Sequence, residues 1–286
     1  MPIFTRREIF SMARLQPYKI QSVQPIANEY VPDGIRMAQA QSLWDRANQG
    51  SGIVVATIDT GVLYTHPDLK DQIIGGKDFT GKGDFLDGNG HGTHVAGTIL
   101  AEDTGFGIVG MAPKAKLLAL KALADDGSGA MEWSALALRY AIDQKVDVIN
   151  MSLGGPGTPD LHQLIIEAQQ KGIIICAASG NEGDGNPNTV EVSFPGDYHE
   201  VIEIGAVDIN GVLAPFSNTN PEVDILAPGV HVLSTYLNNA YAYLDGTSMA
   251  TPHVTGAMAL LKAAKVDITT ATFKEARGIL DLSKVQ

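Results

Sequence analysis

Six short apolar runs constrain what this chain can fold into more than any other feature. Residues 53–58, 117–120, 146–149, 173–178, 201–204 and 223–226 are long enough for strands and too short for helices of their own. A strand with one wet face alternates apolar and polar residues. These runs are apolar nearly throughout, so both of their faces must be covered. Between them, residues 131–144 and 160–171 mix polar and apolar side chains as amphipathic helices do. The alternation predicts an α/β fold of three layers, a central, mostly parallel sheet flanked by helices. In such folds ligands bind beyond the carboxyl ends of the strands. The segments leaving those ends are where chemistry is expected.

Composition narrows the function. Of 286 residues, 44% are hydrophobic and 18% charged, enough for one large domain with a sizeable core. The formal net charge is −12 and no Lys/Arg cluster occurs, so nucleic acid is not an expected partner. No run approaches the ~20 apolar residues of a membrane span, so a membrane is not expected either. The N-terminus has charges but no apolar core or small-residue cleavage site of a signal peptide. That and the single cysteine, Cys176, predict a cytoplasmic protein. Cys176 lies inside an apolar run and is expected to be a buried structural thiol. Residues 1–28 carry Arg6, Arg7, Arg14 and Lys19, with Pro17 and Pro25, and no clear period. They read as an extension preceding a domain of residues 29–286.

Four polar residues sit where strands end or helices begin. Asp59 follows the apolar run 53–58, where a turn can present its carboxylate. His91, in Asp87-Gly88-Asn89-Gly90-His91-Gly92-Thr93-His94, stands at the entrance of a helix continued by Val95, Ala96, Ile99 and Leu100. A zinc site on His91 and His94 is the alternative, but the His-Glu-x-x-His arrangement is absent. Ser248, in Gly246-Thr247-Ser248-Met249-Ala250-Thr251-Pro252-His253, is placed at a helix N-terminus, with Pro252 expected in its first turn. Asn181, in Ser179-Gly180-Asn181-Glu182-Gly183, follows the run 173–178 and can offer an amide N–H. Each has a bland reading as a cap or turn residue. Together they supply a nucleophile, a base, a carboxylate to orient the base and an oxyanion donor.

These motifs, in this order, resemble the subtilisin family, in which the order Asp, His, Ser is already known. The resemblance spans roughly residues 29–265 and is nearest to the intracellular subtilisins. It implies a serine endopeptidase that hydrolyses polypeptides through an acyl-enzyme. Asp59 would orient His91, His91 would act as general base, Ser248 as nucleophile, and Asn181 would hold the oxyanion. It implies two substrate-aligning edges, Leu123 with Gly127 and Ser152-Leu153-Gly154. Ala178-Ser179-Gly180 would wall the S1 pocket, with Ser179 adding polarity where Ala is more usual. A structural calcium ion is implied, held by Glu29, Asp68 and the loop Glu102, Thr104, Phe106 and Ile108. Oxygen ligands of that kind suit a hard cation.

The intracellular subgroup also carries an N-terminal segment that blocks the active site until removed. Its motif here is Leu15-Gln16-Pro17-Tyr18, so residues 1–28 are expected to be an inhibitory propeptide and 29–286 the catalytic domain. Proline fixes φ and lacks an N–H, which can hold a bound segment out of attack geometry. The subgroup implies a homodimer that leans on the C-terminal tail. Residues 277–282 resemble the family's final strand, reached early, since only 38 residues follow Ser248. Two rival functions stand beside the protease: an esterase or transpeptidase on the same machinery, and a peptide-capturing module without turnover. The absence of a Gly-x-Ser-x-Gly elbow argues against an α/β-hydrolase.

Overall fold

The computed structural model describes residues 12–15, 19–24, 26, 28–266 and 278–285, with the backbone alone for 19–24. The chain begins with β1 (Met12–Arg14), β2 (Lys19–Gln24) and the short helices α1 (Asp33–Met37) and α2 (Gln41–Trp44). There follow β3 (Val54–Asp59), β4 (Ile73–Asp78), α3 (His91–Leu100), β5 (Lys116–Lys121), β6 (Ser128–Ala130) and α4 (Met131–Asp143). Next come β7 (Val148–Met151), α5 (Pro159–Gln170), β8 (Ile174–Ala178), β9 (Ile202–Val207) and β10 (Val223–Pro228). The hairpin β11 (Val232–Tyr236) and β12 (Ala240–Asp245) leads into α6 (Thr247–Ala263).

Seven strands form one parallel sheet in the order β10-β9-β8-β7-β3-β5-β4. From β3 the chain passes to the edge strand β4 and returns to place β5 between them, then builds outward in the other direction from β7 to β10. The reversal leaves a crevice at the carboxyl ends of β3 and β7. Asp59 ends the first of these strands, and Ser152 directly follows the second.

Alternating side chains divide between two cores. On β8, Ile174 and Cys176 join the core under α3 and α6, while Ile175 and Ala177 join the one under α4 and α5. On β3, Val55 faces the first and Ala56 and Ile58 the second. Period-two alternation with both faces dry is why these strands read as continuous apolar runs. A second, three-stranded antiparallel sheet, β11-β12-β2, and a two-stranded pair, β1-β6, lie outside the main sheet.

The expected strands are present, shifted by up to two residues at most ends. The weakly apolar β4, the hairpin and the pairings of residues 12–24 were not among them. The final strand expected at 277–282 is reduced. Leu226 and Ile279 form one parallel bridge, and Leu282–Lys284 is a 3-10 turn. Arg277 lies outside the described residues, as does 267–277, on which much of the dimer expectation rests. Among the described residues, no helix is long and apolar enough to cross a membrane.

Cys176 is fully buried in β8, and burial pushes its thiol up to about 12. The thiolate is the reactive form, so a disulfide reagent at pH 8 is expected to label Cys176 only in denaturant. Rapid stoichiometric labelling of the folded chain would contradict its position.

Candidate active site

Ser248 lies in the first turn of α6, where a backbone N–H has no intrahelical acceptor. Its hydroxyl donates to the Ser152 carbonyl at 3.1 Å, and the Ser152 hydroxyl donates to the Ser248 carbonyl at 2.9 Å. The second bond depends on Pro252. Expected in the first turn, Pro252 instead sits inside the helix. Lacking an N–H, it cannot bond the carbonyl four residues back. That carbonyl belongs to Ser248, and Ser152 takes it. A further bond from Asn150 Nδ2 to Ser152 Oγ, 2.9 Å, fixes Ser152 itself.

Asn181 is oriented by its oxygen. Oδ1 accepts from the Thr247 N–H and from Thr247 Oγ1, both at 2.8 Å. The amide nitrogen is thereby turned toward the start of α6. Gly246 has φ 152°, a conformation that a side chain disfavours. A Cβ built there would stand 3.1 Å from Asn181 Nδ2 and 3.7 Å from Ser248 N. The missing side chain leaves a small space bordered by both donors, suited to a developing negative oxygen.

Asp59 and His91 are both completely buried, and Asp59 Oδ1 lies 2.8 Å from His91 Nδ1. Thr60 N donates to the same oxygen at 2.7 Å. A carboxylate on Nδ1 fixes the proton there and leaves Nε2 as the basic nitrogen. Burial keeps water from weakening the pair.

Asp87 organises the turn before His91. Its carboxylate accepts from Thr60 Oγ1 and the N–H groups of Asn89, Gly90 and Thr93, and from Thr93 Oγ1. It caps α3 from four residues upstream of His91. An acidic residue ahead of an apolar helix is a legible start signal, yet the sequence marked Asp87 only as part of the motif around His91. Lys121 was also missed. It is 1% exposed, and its ammonium donates to the Thr60 carbonyl and, at 2.9 Å, to Asp125 Oδ1. Asp125 precedes Gly127, so Lys121 joins the Asp59 turn to a substrate-aligning edge.

His94 does not join His91. Its Nε2 approaches the carbonyls of Val232 and Ala242 at 3.0 and 3.1 Å. Burial lowers its pKa to about 3, which keeps it neutral. It pins α3 to the hairpin. Among the described residues, no group of three or more His, Cys, Asp or Glu side chains is gathered for a metal.

Of the expected calcium residues, Asp68 meets Glu29, Glu102 and Ile108. Asp68 Oδ2 accepts from Ile108 N and Tyr241 OH, while the buried Oδ1 has no hydrogen-bond partner. Burial, with Glu29 nearby, raises its pKa. Glu29 Oε2 accepts from Gly105 N at 2.7 Å, which puts it over the same loop. The Glu102 carboxyl accepts from Asp71 N instead, and the Glu102 N–H donates to the Asp68 carbonyl at 2.9 Å. Two carboxylates, one with an orphaned oxygen, beside a loop rich in carbonyls form an all-oxygen donor set.

The two aligning edges face each other, and residues 12–15 lie between them. β1 pairs antiparallel with β6, Arg14 opposite Ser128. On the other side, Arg14 and Gly154 exchange both backbone bonds, at 3.0 and 3.1 Å. Leu15 N then donates to the Gly127 carbonyl at 2.8 Å. Ala13 and Leu15 are buried in the core that contains Leu123, Leu153 and Met131. Pro17 and Tyr18 lie outside the described residues. Ala178 ends β8, Ser179 and Gly180 follow it, and the Gly180 N–H faces Thr247 Oγ1 at the start of α6, 3.3 Å away. The Ser179 hydroxyl, expected to lend polarity to a pocket, is fully buried and faces the Asn218 carbonyl at 3.4 Å.

The profile of the subtilase family, peptidase S8, matches residues 50–278, and the chain belongs to that family. It is 49% identical over 257 residues to the major intracellular serine protease of Bacillus subtilis, covering 87% of this chain and 80% of that protein. It is 49% identical over 252 residues to an intracellular serine protease of Paenibacillus polymyxa, covering 86% and 77%. Subtilisin DY of Bacillus licheniformis is 45% identical over 234 residues, covering 81% and 84%. The chain is accordingly a subtilisin-like serine endopeptidase.

Ser248→Ala is expected to lower kcat/KM by several orders of magnitude, the size already established for the nucleophile of subtilisin. Asn181→Ala is expected to cost about a hundred- to a thousandfold, also the established range for that donor in subtilisin. Hydrolysis of a chromogenic peptide reads both. Undiminished activity in Ser248→Ala would remove it as nucleophile.

Proposed function

We propose that this protease works through an acyl-enzyme formed on Ser248 and that its own residues 12–15 block the groove until the extension is removed. In the first step the Ser248 hydroxyl leaves the Ser152 carbonyl and gives its proton to His91 Nε2 as Oγ attacks the peptide carbonyl. The imidazolium is stabilised by Asp59. The oxyanion lies between Asn181 Nδ2 and Ser248 N. Collapse expels the amine, which takes the proton from His91, and water then hydrolyses the ester by the same route. The carrying observation is the convergence of these groups at one end of the sheet, with the Asp59–His91 bond dry and short.

Autoinhibition is supported by the strand 12–15. An extended peptide recognised by main-chain bonds on both sides is how a substrate would lie in this groove. Being tethered, the segment competes at a high effective concentration. Leu15 leads by sequence to Gln16 and then Pro17, whose missing N–H suits a segment that resists cleavage. In this reading the pocket for the residue preceding the scissile bond lies between Ser152-Leu153-Gly154 and Ala178-Ser179-Gly180. A cytoplasmic location is supported by the names of two relatives, each called intracellular.

Calcium is proposed as a structural ion on Asp68 and Glu29, with Thr104 and the main chain of Glu102, Phe106 and Ile108. When bound it would neutralise the buried Asp68 carboxylate and offset its repulsion with the exposed Glu29. It takes no part in the chemistry.

Casein hydrolysis by the full chain, by a chain starting at Glu29 and by Ser248→Ala tests the central reading. Activity is expected to rise on trimming and vanish in the variant. Equal activity at both lengths would remove the inhibitory role. For calcium, chelation is expected to lower Tm by about 5–10 °C relative to calcium at a hundred times Kd. Asp68→Asn should abolish that response. A Tm indifferent to chelator would count against the ion.

A further inference from the structure

We propose that Glu203 is a specificity-determining residue, and that its buried carboxyl at the closed end of the S1 pocket selects a basic side chain, Lys or Arg, at P1. The inference rests on the placement of that pocket given above. Glu203 belongs to β9, opposite Ala177 of β8 in register. The geometry begins at Gly155, next to the substrate edge. Gly155 and Phe194 exchange both backbone bonds, at 2.9 and 3.0 Å, which carries the segment 193–197 from that edge across to the end of β8. There Gly196 meets the Ala178 carbonyl. A Cβ added to Gly196 would stand 2.7 Å from that oxygen and 3.2 Å from both Cγ and Oε1 of Glu203. Only the backbone of Gly196 thus separates the carboxyl from the pocket wall.

The carboxyl is not explained by its protein contacts. Oε1 accepts from Asn220 Nδ2 at 3.0 Å, but Oε2 is buried with no hydrogen-bond partner. Glu203 as a whole is fully buried. The charged groups that bear on it are Asp197 from the 193–197 segment, Asp224 from β10 and Glu222 just before it, all acidic. β8 offers only Ala177 and Ala178 at this level. Burial first, then these neighbours, push Glu203 up to about 8. A buried carboxylate lacking a cation is costly to ionise. The end of the pocket is therefore backed by a negative field. A guanidinium or ammonium reaching down the pocket would lie in that field across the Gly196 backbone and would favour loss of the Glu203 proton. An apolar P1 side chain would leave the acid neutral and gain nothing from it.

The alternative is a purely structural acid that pins Asn220, whose amide also donates to the Glu191 carbonyl at 3.0 Å. Glu203→Gln separates the two, since Gln keeps a carbonyl oxygen for Asn220 and loses the charge. Two peptide nitroanilides that differ only in P1, Arg against norleucine, are cleaved by the full chain and by Glu203→Gln from pH 6 to 9.5. The ratio of kcat/KM values is read. The fraction of chains with an open groove cancels in it, as does the titration of His91.

In the parent, the Arg preference is expected to rise toward tenfold per pH unit below about 8 and then level, because arginine stays charged while Glu203 ionises. In Glu203→Gln the ratio should fall at least tenfold at pH 9 and lose its pH dependence. An unchanged ratio in the variant would overturn the proposal. So would a flat profile in the parent, which decides the matter even if the variant does not fold. With further Arg/norleucine pairs varied at P2 and at P3, a Glu203→Gln effect confined to those pairs would overturn it by showing that the pocket was misplaced.

Discussion

Helix α6 is held against the end of β7 by the two bonds that Ser152 and Ser248 exchange. The space beside Gly246, the aim of Asn181 and the position of the Ser248 hydroxyl all follow from that tie. It exists because a proline inside a helix frees one carbonyl and because the serine that takes it begins a substrate edge. The same residues therefore position the nucleophile and the main chain that would align a peptide. A shift of either element would misplace both.

The interior assigns different jobs to like side chains. His91 is held by Asp59, whereas His94 and His253, lowered by burial to about 3 and about 4, stay neutral and bond backbone carbonyls. The carboxylates divide similarly. Asp87 takes donors from every side and acts as a cap, Asp68 keeps one oxygen unmet near Glu29, and Glu203 gives one oxygen to Asn220 and keeps the other unmet. An unmet oxygen in a dry place is where a cation is most strongly attracted.

The groove supports the proposal that one chain carries both an enzyme and its block. Its edges present unpaired main-chain groups, which any extended segment can satisfy. Residues 12–15 do so with backbone bonds to Gly127 and Gly154 and with Ala13 and Leu15 in the core. Lys121 and Asp125 connect this edge to the turn holding Asp59, so groove and triad form one unit.

The sequence by itself determined the layered α/β fold, because strands covered on both faces must be apolar throughout and helices covered on one face must be amphipathic. It also marked Asp59, His91, Asn181 and Ser248, since each lies beside a turn or helix start that local spacing reveals. Only the tertiary structure decided that Pro252 frees a carbonyl for Ser152, that His94 pins the hairpin and that Glu203 backs Gly196. β4, the hairpin and the docking of residues 12–15 were equally hidden. These features depend on contacts between segments far apart in the chain, for which local periodicity carries no signal.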